Sequence, residues 1–352
     1  MRQHLSAIIV LATALPVCAA EEAERSARVD RAIERGLENL RAMQDKTEGC
    51  WRDRGNRPNP AVTGLAVMAF LSAGHVPGEG RYGEVVEKGI RWVLKRQRNN
   101  GLLATEGHQE MYQHGIATLM LAEAAGMTDA DIGKDIRKGL AKAVRIILQA
   151  QRTHGDDRGG WRYRVAAVDG SDISVTGWQV MALRAARNVG CDVPASAIER
   201  AVEYIKRCQD NSTGGFRYQP HGGVTIACTG TSILALEICG KEHHHCREAL
   251  RGGGYLVRNG NLPHANQPWF FYSIYYGSQA AFQLGGNYWT VFRPRLHDVL
   301  LGLQNGSGYW DGGSADASQG GRPYCTAMAI LALTVEYRFL PIYQRAEEPA
   351  EK

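Results

Sequence analysis

No run of Lys or Arg, no Cys-x-x-Cys pair and, beyond the first twenty residues, no long apolar stretch occurs in this 352-residue chain. Without a basic run, and with 41 Lys+Arg facing 36 Asp+Glu for a net charge of +5, the chain carries no nucleic-acid footprint. Without a second apolar stretch near the ~20 residues that a span requires, no integral membrane segment is expected after residue 20. Without Cys-x-x-Cys spacing, no regular disulfide framework is indicated. Disorder is excluded by composition: 44% apolar against 22% charged residues suffices to build a core.

The first twenty residues, MRQHLSAIIVLATALPVCAA, place Arg2 before an apolar stretch from Leu5 to Val17 and then small residues. That order is the layout of a secretory signal peptide cleaved after Ala19 or Ala20. The stretch is about 13 residues, too short for an anchor. The expected product is exported, to the periplasm or the medium. It retains seven cysteines. Cys239 and Cys246 would bridge if a helix–helix turn brings them together; buried free thiols are the alternative.

A repeat runs through the rest. Five segments set a basic residue nine positions before a glutamine: Arg35…Gln44, Lys88…Gln97, Lys142…Gln151, Arg200…Gln209 and Arg295…Gln304. Apolar residues between them recur at three- and four-residue steps, the mark of an amphipathic helix. A glycine-aromatic loop follows most of the glutamines: Gly49-Cys50-Trp51, Gly160-Trp161, Gly215-Phe216 and Gly308-Tyr309-Trp310. Each loop leads into a second, more uniformly apolar helix that opens on a small residue, as in Thr63-Gly64, His114-Gly115, Thr176-Gly177, Thr229-Gly230, Tyr276-Gly277 and Thr326-Ala327. The fifth unit is degenerate, with Gly252-Gly253-Gly254 expected to interrupt its first helix and Asn259 near the expected glutamine. Six hairpins at about 55 residues each fill the chain. Amphipathic helices belong outside and all-round apolar ones inside. The predicted fold is therefore all-α: a double-walled α/α toroid, one domain over 28–341, with a lead-in at 21–27 and a flexible tail at 342–352.

The order of basic residue, apolar helix, glutamine and Gly-x-Trp resembles the QW-type repeat of squalene and oxidosqualene cyclases, whose α/α toroid is shared with protein prenyltransferase β subunits. The resemblance covers about residues 28–340. It implies a reactive pocket where the inner helices begin. The position five before each inner small residue then reads Asn59, Glu110, Asp172, Thr225, Tyr272 and Arg322; the position just before it reads Thr63, His114, Thr176, Thr229, Tyr276 and Thr326. Asp172 and Glu110 are the catalytic candidates, and His114, Thr176, Tyr272, Tyr276 and Arg322 the ligand-binding candidates.

Neither family's chemistry is intact. Proton-donating cyclases carry Asp-x-Asp-Asp-Thr-Ala at this inner helix. Here Asp172 stands for the first aspartate, but Ser174 and Val175 replace the other two, and a serine hydroxyl is too weak an acid to protonate an alkene. Prenyltransferases place Asp-x-Cys six residues before a Trp to bind zinc. Asp172 precedes Trp178 by six, yet Ser174 replaces the cysteine and Phe270 stands where a histidine is needed, so neither a metal nor a cofactor is expected there. Asp172 also fits a helix N-cap. The run His243-His244-His245-Cys246 follows the far end of the fourth inner helix, about 30 Å from Asp172 if the helices are ~20 residues long, and reads as a solvated turn. The run Trp269–Tyr276 reads as core, or as an aromatic lining. The glycines around Asp311, Ser314 and Asp316 read as a flexible mouth loop.

The expected partner is an apolar small molecule, an isoprenoid or an extended glycan or peptide held in the central cavity. The alternatives are an enzyme with rewired chemistry, terpenoid or glycan-cleaving, and a scaffold whose bore would be filled.

Overall fold

The computed structural model describes residues 5–344 except 106, 108, 129–130 and 167–169, with side chains from Glu21 onward. Part of the expected leader, and the tail from residue 345, lie outside the described residues. Helix makes up 62% of the chain in twelve α-helices among the described residues, no one of them long and apolar enough to cross a membrane.

The outer helices are α1 (Leu5–Met43), α3 (Gly83–Lys95), α5 (Ile132–Ala150), α7 (Ala195–Arg207), α9 (Arg247–Leu256) and α11 (Gly286–Leu303). The inner helices are α2 (Pro60–Ser72), α4 (Glu110–Gly126), α6 (Ile173–Asn188), α8 (Ile226–Ile238), α10 (Phe270–Leu284) and α12 (Ala315–Leu333). Each inner helix packs on the next, and α12 returns to α2, closing the ring. The expected toroid is what forms. Nearly every residue of α2, α6 and α8 is buried, whereas the outer helices bury one stripe, the division that their apolar patterns dictate. Besides four short 3₁₀ turns, the described residues form one two-residue antiparallel ribbon, β1 (Phe216–Arg217) on β2 (Val224–Thr225), with Phe216 opposite Thr225.

The repeated glutamine is the seam. Its Nε2 donates both to a glycine carbonyl in its own loop and to a carbonyl of the next outer helix. Gln44 reaches Gly49 and Val85, Gln97 Gly101 and Gly139, Gln151 Gly159 and Ala197, and Gln209 Gly214 and Glu248, all at 2.8–3.0 Å. Gln304 reaches Gly308 and, across the closure, Ala32. In two repeats the basic residue pairs with the preceding repeat's glutamine: Arg200 donates to Gln151 Oε1 at 2.7 Å, and Arg35 to Gln304 Oε1. The loop glycine is needed twice over. Gly159 has φ +94, and a Cβ there would lie 1.9 Å from the Arg200 carbonyl oxygen. The loop aromatic finishes the joint, with the indole N–H of Trp51, Trp161 and Trp310 donating to Leu40, Ile147 and Leu300 carbonyls at 2.7–2.8 Å.

Several expectations are revised. Gly252–Gly254 do not interrupt α9; they lie inside it, and the bare backbone of Gly253 lets Tyr288 of α11 pack close. Cys239 and Cys246 do not bridge: both are free thiols, Cys239 buried at the C-cap of α8 and Cys246 half-buried at the N-cap of α9. The segment around Asp316 is helical, α12 being bent at Gly321 (φ +74), whose Cβ position lies 3.1 Å from the Arg54 backbone. The tail does not loosen at 342. Ile342 and Tyr343 are buried in a 3₁₀ turn, Pro341–Tyr343, seated on α4 and α6. There the Ile342 N–H donates to Glu123 Oε2 at 3.2 Å and Tyr343 bonds Tyr275, hydroxyl to hydroxyl, at 2.9 Å.

Two tests follow from the packing. Gln304→Ala should lower unfolding free energy by about 1–3 kcal/mol, since it strands buried carbonyls at the closure; chemical denaturation measures it, and no loss would show that the seam is dispensable. Burial pushes the Glu123 carboxyl up to about 8 from 4.5. Between those two values the folded chain holds a proton that the unfolded chain has released, so Glu123 makes stability fall as pH rises through that window, levelling off above it. Glu123→Gln should remove this slope, so that its advantage in Tm over the parent grows from pH 5 to pH 8.

Candidate functional site at the mouth of the ring

Inner-helix starts converge at one end of the toroid. Asn59, Asp172 and Thr225 cap α2, α6 and α8 by accepting from backbone N–H groups: Ala61 at 2.9 Å, Val175 at 2.9 Å and Cys228 at 3.0 Å. The Asp172 capping reading is thus realised, and the carboxylate does more than cap. Its Oδ1 also accepts from the Ser174 hydroxyl at 2.6 Å, and its Oδ2 faces the Arg162 guanidinium at 3.4 Å. Asp172 is fully buried, and burial raises its carboxyl pKa against the opposing pull of Ser174, the Val175 N–H and Arg162.

Arg162 lies over the rings of Tyr163 (4.6 Å) and Tyr218 (5.5 Å). Their hydroxyls bond each other, and Tyr163 stacks on Tyr112, whose hydroxyl bonds Ser174. On the other flank the Tyr272 hydroxyl donates to the Ser174 carbonyl at 3.2 Å, and the Tyr272 N–H to Asp316 Oδ2 at 2.9 Å. Tyr324 donates to the same oxygen at 3.3 Å, while the buried Asp316 Oδ1 has no partner. The mouth therefore holds two buried carboxylates, Asp172 paired with Arg162 and Asp316 with an unpartnered Oδ1, ringed by half-buried tyrosines. At its edge Trp269, just before α10, is 46% exposed in a left-handed backbone (φ +52).

Of the residues singled out from sequence, the structure gathers Asp172 and Tyr272 here. Glu110 begins α4 and accepts from the Val165 N–H at 2.8 Å, tying the backbone after Arg162 to α4. Arg322 sits outside at the rim, donating to Asp311 at 3.1 Å and covering the Tyr309 ring. His114 and Thr176 lie fully buried behind the mouth as loop anchors. Thr176 Oγ1 accepts from the Trp161 N–H at 3.1 Å, as Thr63, Thr229 and Thr326 do for Trp51, Phe216 and Trp310. His114 does the same for Leu103 through Nδ1, and its Nε2 donates to the Ala143 carbonyl, each at 3.0 Å. Burial lowers its pKa to about 4, so it is neutral.

Tyr276 lies deeper. Side chains of α6 and α10 meet across the middle of the ring, Trp178 stacking on Tyr275 at 5.6 Å and meeting Tyr276 edge-on at 5.2 Å. With Tyr343 beneath them, these rings fill the bore where a ligand cavity was expected.

Arg162, Tyr112, Tyr163 and Tyr218 escaped the sequence reading, and Asp316 entered it only as part of a mouth loop; for Arg162 one signal was available. The residue after the loop aromatic is Arg52 in the first repeat and Arg217 in the fourth, and each pairs with the aspartate that follows the seam glutamine, Asp45 and Asp210. In the third repeat that aspartate is replaced by Arg152, whose Nε donates to the Gly170 carbonyl at 3.1 Å. Arg162 thereby loses its usual partner and turns to Asp172.

A closed α/α ring with a polar, aromatic mouth is the class of protein that this fold and site define. Residues 161–346, more than half of the chain, match the prenyltransferase alpha-alpha toroid domain family, and the chain belongs to that family. No curated protein matches it in sequence. Among solved structures it resembles the GH76A alpha-1,6-mannanase of Salegentibacter sp. HEL1_6 in complex with alpha-1,6-mannotriose (TM-score 0.68, 12% identity, 88% of this chain and 99% of that one). It also resembles the type II terpene cyclase MstE of Scytonema (TM-score 0.60, 14% identity, 90% and 99%). These likenesses are likenesses of fold.

Asp172→Ala should cost about 0.5–2 kcal/mol through the lost cap, with a further loss from the unpaired Arg162. Asp172→Asn keeps the capping oxygen and should cost less. Equal losses in denaturant titrations would show that the Arg162 charge pairing, not the cap, dominates.

Proposed function

We propose that the protein binds an extended glycan across the mouth of the toroid, outside the cytoplasm if residues 1–20 act as the leader that their layout implies. The supporting observation is Trp269, a large ring held 46% exposed in a left-handed backbone at the edge of a tyrosine-lined, carboxylate-bearing mouth. Sugar rings offer apolar C–H faces to such aromatics and hydroxyls to the part-exposed Arg162, which Asp172 holds in place. Non-glycine residues held in left-handed backbone cluster at binding and active sites, which supports a ligand contact at Trp269. The reading also draws on the mannanase neighbour, which holds a mannotriose on the same fold, whereas the cyclase holds geranylgeranyl dihydroxybenzoate. An isoprenoid of that length needs a deep apolar bore, and here Trp178, Tyr275 and Tyr276 occupy it.

A second reading, glycan cleavage, is favoured by the raised pKa of Asp172, which suits a general acid, with Asp316 rather than Glu110 as the second carboxylate.

Calorimetry and tryptophan fluorescence with mannan-type and other oligosaccharides, alongside geranylgeranyl lipids, test both. The expected result is glycan binding that weakens at least tenfold in Trp269→Ala with helical content unchanged. Binding of the isoprenoid alone, or full glycan affinity in Trp269→Ala, overturns the proposal. Release of reducing ends that stops in Asp172→Asn would establish the cleaving version.

A further inference from the structure

At the opposite end of the ring, the turn from α8 to α9 brings together a carboxylate and two imidazoles. Glu237 lies in the last turn of α8 with its side chain fully buried. Its Oε1 accepts from the His245 N–H at 2.9 Å, which fixes the carboxylate plane. Its Oε2 is then 3.1 Å from His244 Nε2 and 3.6 Å from His245 Nε2, and the two rings lie 3.9 Å apart. The three donor atoms all fall within 4.8 Å of one another.

These separations are those of a ligand set. A tetrahedral ion with bonds of about 2.0–2.1 Å spaces its donor atoms about 3.3 Å apart, and the observed 3.1 and 3.6 Å bracket that figure. The backbone is shaped for it as well. His245 holds φ +53, a conformation that costs a histidine energy, and it turns the ring back beside His244 toward Glu237. The histidine side chains are 25% and 42% exposed, so an ion there would meet solvent on its open side. A neighbouring group, Glu199, Glu242 and His243, is looser, both of its carboxylates being more than half exposed.

We propose that Glu237, His244 and His245 bind one divalent transition-metal ion of the zinc class. Two imidazoles with one carboxylate suit Zn²⁺, Ni²⁺ or Cu²⁺ and disfavour Ca²⁺ and Mg²⁺, which take oxygen ligands. The fourth position is left to water. The ion pins the 240–246 turn to the base of α8. The thirteen residues of α8 separate it from the mouth by about 20 Å, so it takes no part in chemistry at Asp172. The run that reads from sequence as a solvated turn is, in this inference, a binding site.

Titration of tag-free, metal-stripped full-length protein with Zn²⁺ at pH 7.5 provides the test, read by calorimetry and by metal analysis after dialysis. One equivalent should bind with micromolar or tighter affinity and raise Tm, and binding should fade below pH 6 as protons compete for the imidazoles. His244→Ala and His245→Asn should each weaken it at least tenfold and abolish the Tm shift; asparagine tolerates the left-handed backbone, so the second variant keeps the turn. His243→Ala should leave binding unchanged. Failure of the parent protein to hold stoichiometric Zn²⁺, or parental affinity in both His244→Ala and His245→Asn, overturns the proposal. So does a His243→Ala loss as large as theirs, which would put the ion in the neighbouring group.

Discussion

One amide holds this ring together. At five of the six joints a glutamine Nε2 donates simultaneously to its own loop and to the next outer helix, and the fifth of these bonds, Gln304 to Ala32, turns a row of hairpins into a closed ring. A hydrogen bond contributes only about 0.5–1.5 kcal/mol net, but a buried carbonyl left without a donor costs about 1–3. The glutamine therefore cannot be lost without stranding backbone on both sides of the joint. The rest of the repeat follows from this contact. The positive-φ glycine admits the next helix's carbonyl, and the loop indole packs on the small residue after the basic one: Gly36 lies under Trp310 and Gly89 under Trp51. Where Asn259 replaces the glutamine, α9 is short and the joint is made instead by Tyr288 packing against Gly253.

Closure also decides where a ligand can go. The inner wall brings Trp178 and Tyr276 close enough to fill the bore, and the C-terminal turn at Pro341–Tyr343 seals the base through Glu123 and Tyr275. The mouth keeps Arg162 and its tyrosines within reach of solvent. There the inner-helix starts supply unpaired N–H groups, which Asn59, Asp172 and Thr225 satisfy. Asp172 differs from the other two caps in carrying a charge into a buried site, and Arg162 is the counterion that makes this tolerable. The functional surface is thus an outgrowth of the capping problem that every inner helix must solve.

The repeat, the two classes of helix and the toroid were legible in sequence, because a period and an apolar pattern are properties of the chain itself. The capping role of Asp172 was legible for the same reason, being local. What the chain alone did not determine is which residues share the mouth with it. Arg162, Tyr218 and Tyr272 come from three different units, and their meeting depends on the angle at which each hairpin docks. The same holds for Glu237 with His244 and His245, where the histidine run is visible but the buried carboxylate beneath it is not. It holds too for the filled bore. Ring size is set by six seams acting together, and whether a cavity or a stack of aromatic rings occupies the centre is decided only when the last joint closes.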